Sequence, residues 1–244
     1  MALAAVGLAA CSRSAALASD SAEPAKGTEK ATKADGIPKA KLVGEDVLTT
    51  EYVDKAPKSR TTVKKFSDNS TINHGPLTSW YKNGQKFEQG EYVEGRKHGP
   101  WQLWYENGSE CKTENYVHGK LEGEWSTFRE DGTKERDVTF SKGKREGHWT
   151  FYDESGLKVV KEQEFKDGRP HGEWTEYHPN GAKSAVATFK EGTLDGVVTK
   201  WHPNGQKASE KHYQNKKAHG KQLTWSEDGT QIEDFNFVEG KRVD

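Results

Sequence analysis

Little in this sequence would build a thick core. Only 31% of its 244 residues are hydrophobic, against 31% charged, and the mean hydropathy is −1.03. No apolar run reaches the roughly 20 residues that a membrane-spanning helix needs. Neither charge sign is in excess: 37 basic residues stand against 38 acidic ones. The basic face of a nucleic-acid binder is therefore not expected. There are two cysteines, Cys11 and Cys111, in unlike surroundings, which argues against a disulfide framework. No Gly-x-Ser-x-Gly, phosphate loop, Cys-x-x-Cys or His-Glu-x-x-His occurs, so the common catalytic and metal-binding signatures are missing. We expect no enzyme, no cofactor and no metal.

Glycine and aromatics are plentiful: 25 Gly, eight Trp, eight Tyr and nine Phe. That mixture excludes simple disorder. It suits a thin structure in which aromatics pack locally and charges cover the rest.

The chain starts with a short Ala-rich apolar stretch, residues 1–10, ending Leu8-Ala9-Ala10 before Cys11. It resembles the lipobox of bacterial lipoproteins, although Lys and Arg are missing ahead of the apolar stretch. The resemblance implies cleavage before Cys11 and acylation of its thiol. Ser12 in place of Asp then implies the outer membrane, facing the periplasm or the cell surface. Residues 11–41 are rich in Ala, Ser, Lys, Glu and Thr and contain no aromatic. They cannot bury enough apolar surface to fold, and read as a tether reaching about 30 Å.

From His74 onward a period dominates. His-Gly or acid-Gly recurs at Gly75, Gly99, Gly123, Gly147, Gly172, Gly196 and Gly220, spaced 24, 24, 24, 25, 24 and 24 residues apart by subtraction. Five residues after each stands an aromatic: Trp80, Trp104, Phe128, Tyr152, Tyr177, Trp201, Trp225. Nine residues after stands a second glycine, preceded by Asn, Asp or Ser. A further aromatic, such as Tyr116 or Phe165, comes near the end of each unit. A third glycine follows it by three residues, except in the sixth unit, where Lys216 stands.

Asn-Gly or Asp-Gly between polar-aromatic runs signals a tight hairpin, because both residues tolerate positive φ. The Gly-x-x-x-Gly segment is expected to supply the return turn. Residues 74–244 thus read as seven tandem β-hairpins forming an elongated, twisted, single-layer open sheet, roughly 70 Å long at about 4.8 Å per strand. The fourth unit's extra residue is expected as a bulge near Val159-Val160. Residues 42–73, with strand character around Thr62 to Phe66, read as a degenerate repeat or an N-terminal cap.

The histidines of "RPHGEWTEYHPNG" (169–181) fit no metal site. His171 occupies a repeat position that Glu or Asp fills elsewhere, and His178 flanks a turn as His202 does.

The units "HGPWQLWYENG", "HGEWTEYHPNG" and "DGVVTKWHPNGQK", with returns such as "YVHGK" and "FKEG", resemble the MORN-repeat family. They are similar in particular to the bacterial variant found in YwqK-family antitoxin proteins. That resemblance implies stacked hairpins, protein binding, in some members dimerisation or phospholipid association, and no catalytic residues.

The tryptophan two residues after the first glycine, at Trp101, Trp125, Trp149 and Trp174, has opposite parity to the aromatic five residues after it. Either both faces carry aromatics or the strand is bulged. If one ladder is partly exposed, this quartet in the middle repeats is the candidate binding surface. Cys111 reads as a half-buried thiol.

The function expected is a lipid-anchored, non-enzymatic scaffold that binds a protein at the cell envelope. The first alternative is an antitoxin or immunity protein sequestering a toxin. The second is a carbohydrate- or phospholipid-binding module.

Overall fold

The computed structural model describes residues 40–53 and 55–243. Cys11 and the segment read as signal and tether lie outside them. The described chain is all-β and antiparallel: it contains nineteen strands, closes into no barrel, and shows no helix. Among the described residues no helix is long and apolar enough to cross a membrane. The chain divides between Gly119 and Lys120 into two compact units.

The first unit contains β1 (Leu42–Glu51), β2 (Pro57–Phe66), β3 (Thr71–Trp80), β4 (Lys86–Val93), β5 (Arg96–Trp104) and β6 (Glu110–Val117), each paired with the next. The second contains β7 (Lys120–Leu121), β8 (Gly123–Phe128), β9 (Lys134–Ser141), β10 (Lys144–Arg145), β11 (Gly147–Tyr152), β12 (Val159–Lys166), β13 (Arg169–Tyr177), β14 (Lys183–Lys190), β15 (Thr193–Trp201), β16 (Lys207–Gln214), β17 (Lys217–Trp225), β18 (Gln231–Val238) and β19 (Lys241–Arg242).

The two turns of each repeat exchange the roles expected of them. The return turn lies at the third glycine, where the Gly-x-x-x-Gly segment begins, and it is the tight one. Glu94-Gly95, Lys142-Gly143 and Glu191-Gly192 each place both residues at positive φ, as a two-residue I′ hairpin turn requires. In β5 and β13 the strand continues through the His-Gly pair but is bulged there, with Gly99 at φ +66° and Gly172 at φ +62°.

At Asn-Gly only the glycine has positive φ, +88° at Gly84 and +87° at Gly108. The Gly84 N–H donates to Tyr81 O at 3.0 Å, and the Tyr81 N–H to Gln85 O at 2.8 Å. This is a longer turn closed by a left-handed glycine. Its Asn or Asp accepts the N–H two residues on, 3.0 Å at Asn83 and 2.8 Å at Asp131. The amides of Asn83, Asn180 and Asn204 also donate to the next repeat's turn. Asn83 reaches Glu106 O at 2.8 Å, and Asn204 reaches Glu227 O at 2.7 Å.

The extra residue of the fourth repeat is in this turn, not at Val159-Val160. The Asp153 N–H reaches Lys158 O, one residue farther than in its neighbours. Leu157 is thrown out to 86% exposure. A turn absorbs an insertion more readily than a ladder, because no cross-strand pair is broken.

The stretch from Leu42 forms the hairpin β1–β2. Its turn repeats the same bonds, Tyr52 N–H to Ala56 O and Lys55 N–H to Tyr52 O, with Lys55 at φ +66° where repeats carry glycine.

Candidate functional site

Side chains alternate across a strand, so the two aromatic ladders fall on opposite faces. Cross-strand register confirms this in the second unit. Trp149 is opposite Gln163 and Trp125 opposite Val138, whereas Tyr152 reaches Asp137 on the other face with its hydroxyl, at 3.0 Å.

The tryptophans expected as a binding surface are the core. Trp101 is 0% exposed, Trp125 4% and Trp149 9%, and Trp174 is half-buried against the same cluster. Trp101, Trp149 and Trp174 each pack between the end-of-unit aromatics of flanking repeats, and Trp125 packs on Phe140 at 6.2 Å. Ring centroids step from Phe140 to Trp149 at 5.5 Å, on to Phe165 at 4.9 Å, to Trp174 at 5.4 Å and to Phe189 at 4.4 Å. Such tilted pairs add roughly 0.5–1.5 kcal/mol beyond area burial.

Three of the indole N–H groups are also satisfied internally. Trp101, Trp149 and Trp174 donate to Glu91 O, Thr139 O and Glu164 O at 3.2, 3.1 and 3.0 Å. Gln222, at the equivalent position of the last repeat, donates to His212 O at 2.8 Å. Gly90 is glycine because Trp101 lies on it: a Cβ there would stand 2.2 Å from the ring. Trp101, Trp125 and Trp149 are too enclosed to meet a partner, while Trp174 stays half-buried at the margin of the same core.

The position two residues before the first glycine was not singled out by the sequence. There a cation covers the core rings: Lys97 Nζ lies 3.9 Å above Trp101, and Arg145 lies 4.5 Å from Phe165.

The His/acid exchange also acquires a reason. His74 Nδ1 accepts the Glu94 N–H at 3.2 Å, while Glu122 and Glu146 accept the N–H of Lys142 and Asp167 at 2.7 and 2.8 Å. Both residue types accept the same orphan donor of the return turn. His178 and His202 donate from Nε2 to Trp201 O and Trp225 O at 2.8 and 2.9 Å. Tyr81 does likewise to Trp104 O at 2.9 Å. Among the described residues no group of His, Cys, Asp or Glu could hold a metal.

The first unit departs from this pattern. Where the next repeat has Arg136 and Val138, β6 places Lys112 and Glu114, an ion pair at 2.6 Å with side chains 2% and 5% exposed. Tyr116 donates to Glu114 Oε2 at 3.0 Å. Burial raises the Tyr116 phenol and the Glu88 carboxyl and lowers the Lys97 ammonium. The Lys112 position is also charged at Glu88, Arg136 and Lys161, so its residue types did not mark the buried pair. Cys111 beside them is 1% exposed and disulfide-bonded, not a half-buried thiol. It sits where the register between β5 and β6 shifts, past Leu103–Lys112.

The other face carries the second ladder. Trp80 and Trp104 in the first unit, and Phe128, Tyr152, Tyr177, Trp201 and Trp225 in the second, are all half-buried. Lysines flank them: Lys86 Nζ lies 5.3 Å from Trp104 and Lys134 Nζ 5.8 Å from Tyr152. Acids pair with their hydroxyls, as in Tyr177 Oη to Glu162 at 2.5 Å, which pushes the phenol up to about 12. Half-exposed aromatics among paired charges can bind a partner surface without titrating near neutrality.

Fold and surface together define an open-sheet β-hairpin repeat protein. The MORN repeat variant matches it at residues 73–94, 170–191 and 194–215. Each match begins two residues before a repeat's first glycine and ends on the first residue of its return turn. No curated protein matches the chain.

Proposed function

We propose that this chain is a non-enzymatic scaffold that binds a protein through the half-buried aromatic ladder of its outer face. The observation that carries this is the ladder itself. Seven repeats hold an aromatic at one register position, none of them fully buried, with charges alongside. Aromatic groups with paired polar neighbours are the usual anchors of protein interfaces. The MORN repeat variant at three positions supports a repeat scaffold.

Full-length chain immobilised in extract of the producing cell tests it, with mass spectrometry of what is retained. One or a few proteins held in stoichiometric amount support the reading. Retention of glycan or phospholipid alone, with no protein, sinks it.

The lipobox-like residues before Cys11 support a place at the bacterial envelope, through an acyl anchor on that thiol. This has a chemical competitor. The chain has two cysteines, so a disulfide at Cys111 closed within one chain takes the Cys11 sulfur that a lipid thioether also needs. Intact mass with and without reductant separates the two. A lipid adduct that Cys11→Ser abolishes supports the anchor, and a mass that changes only on reduction rejects it.

The second reading, an antitoxin or immunity protein of the YwqK type, is supported by the quoted repeat units. Rescue of growth on co-expression with a neighbouring toxin would favour it. Absence of rescue with every captured protein would remove it.

A further inference from the structure

The even charge balance of the chain hides a separation by place. In the second unit the two kinds of turn lie at opposite ends of the strands. The Asn-Gly-type turns, residues 129–133, 153–158, 178–182, 202–206 and 226–230, carry six acids and two cations. The return turns with their flanking residues, 120, 141–144, 166–169, 190–193, 214–217 and 238–241, carry nine cations and three acids. One register position leads this excess. The residue after the return glycine, or after Lys216 in its place, is Lys120, Lys144, Arg169, Thr193, Lys217 and Lys241 in turn. The five cations are exposed and Thr193 is half-buried.

Backbone bonds hold these positions in a row. The Gly143, Gly168, Gly192, Lys216 and Gly240 N–H groups donate to Leu121 O, Arg145 O, Pro170 O, Leu194 O and Ala218 O at 2.7 to 3.0 Å. Each acceptor directly follows one of the six positions, so every return turn hangs on the repeat before it. The side-chain stems lie against the next turn. A Cβ at Gly143 would stand 3.7 Å from Lys120 Cβ, and one at Gly192 would stand 3.6 Å from Arg169 Cβ. Successive positions are two strands apart, about 9.6 Å. Among the described residues Lys120 and Arg169 have no ion-pair partner. Lys144 and Lys217 pair with Asp167 and Glu239 at 3.3 and 3.4 Å, with all four side chains more than half exposed. Such exposed pairs hold little energy and exchange readily for a ligand's carboxylate.

We infer that this edge of the second unit binds an extended acidic segment of a partner protein, with a carboxylate at every third residue. A polyproline II segment rises about 9.3 Å per turn of three residues and sets every third side chain on one face. That repeat matches the step of the cation row, so one carboxylate meets each cation and Thr193 is a neutral interruption. A DNA duplex spaces the phosphates of one strand about 3.4 Å apart, and most of them would find no cation. A flat anionic membrane would first meet the turn tips, where Asp167, Glu191 and Glu239 repel it. The acids at the far ends of the strands repel the same segment, which fixes the edge it meets. The row lies at the strand ends, apart from the outer aromatic ladder, and does not depend on it.

Fluorescence anisotropy of a labelled peptide titrated with the full-length chain tests this. The probe is a peptide of six Glu-Pro-Pro triplets. Its control has the same composition, with the acids at every second residue. The triplet peptide should bind about tenfold more tightly or better, because only it engages the cations together. Added salt should weaken its binding. Lys144→Gln combined with Arg169→Gln should remove most of that preference, with unchanged far-UV circular dichroism. Lys183→Gln, exposed at the other end of the strands, should keep it. Thr193→Lys fills the interruption and should tighten binding of the triplet peptide several-fold, but not of the control. Trp201→Leu, in the outer ladder, should bind the peptide as wild type does, so failure of this edge and failure of the aromatic face are told apart. Absence of binding, or equal affinity for the two peptides, overturns the proposal. So does a preference that survives the double variant, or no gain from Thr193→Lys. Tighter binding to an oligonucleotide of equal charge, or to vesicles of anionic phospholipid, also overturns it.

Discussion

At the scale of single residues, a repeat position is best understood by the bond it makes. Glu146 and its counterparts exist to accept one backbone N–H from the return turn. Losing such a bond costs about 1 kcal/mol. Glu146→Ala should therefore lower stability by that amount in urea titration, and Glu146→His should recover most of it, because His74 does the same task in the first repeat. Equal destabilisation by Ala and His would refute the role.

Trp149→Ala opens the core ladder and should cost about 3–5 kcal/mol. Trp149→Phe keeps most of the ring and should cost much less, chiefly the bond to Thr139 O. Asp228 adds a pH term. Its turn hydrogen bonds, first from Ser226, hold the carboxyl down from 3.8 to about 2. Stability from a depressed carboxyl is present above its unfolded pKa and is lost as pH falls through the folded one. Acid unfolding of Asp228→Asn, followed by circular dichroism, should be less steep between about pH 4 and pH 2 than that of wild type. An unchanged slope would contradict this.

At the scale of the element, each hairpin is specified by two different glycine turns; the sequence made both visible but assigned the tight one to Asn-Gly. Asn-Gly is the stronger I′ signal on paper, yet the Asn prefers to accept an N–H and reach the next repeat. The I′ turn passes to pairs such as Glu94-Gly95, whose first residue tolerates φ near +50°. The sixth repeat exposes the cost: Lys216 sits at φ +67° directly after Asn215 at +50°. A left-handed non-glycine residue costs about 1–2 kcal/mol. Lys216→Gly should thus raise the thermal midpoint, offset in part by the entropy of glycine in the unfolded chain. A fall in the midpoint would mean that the Lys216 side chain contributes more than its backbone costs.

At the scale of the whole molecule, the open antiparallel hairpin array followed directly from the 24-residue period. So did the structural reading of His178. What escaped were choices between equivalent patterns. Two aromatic ladders of opposite parity are symmetric in sequence. Only the packing of Trp149 between Phe140 and Phe165 decides which face is core. The covering cations Lys97 and Arg145 alternate with Leu121 and Pro170 at their position, so no residue type marks it. The buried Lys112–Glu114 pair was not legible either, because Glu88, Arg136 and Lys161 stand at the Lys112 position of other repeats.

The most direct test of the binding-face account is the affinity of the captured partner for two conservative variants. Trp201→Leu alters the outer ladder and Trp149→Phe alters the core. We expect Trp201→Leu to weaken binding about tenfold or more, equivalent to roughly 1.4 kcal/mol, while Trp149→Phe binds as wild type does. Undiminished binding by Trp201→Leu, with binding lost in a folded Trp149→Phe protein, would contradict the account and return the function to the core ladder.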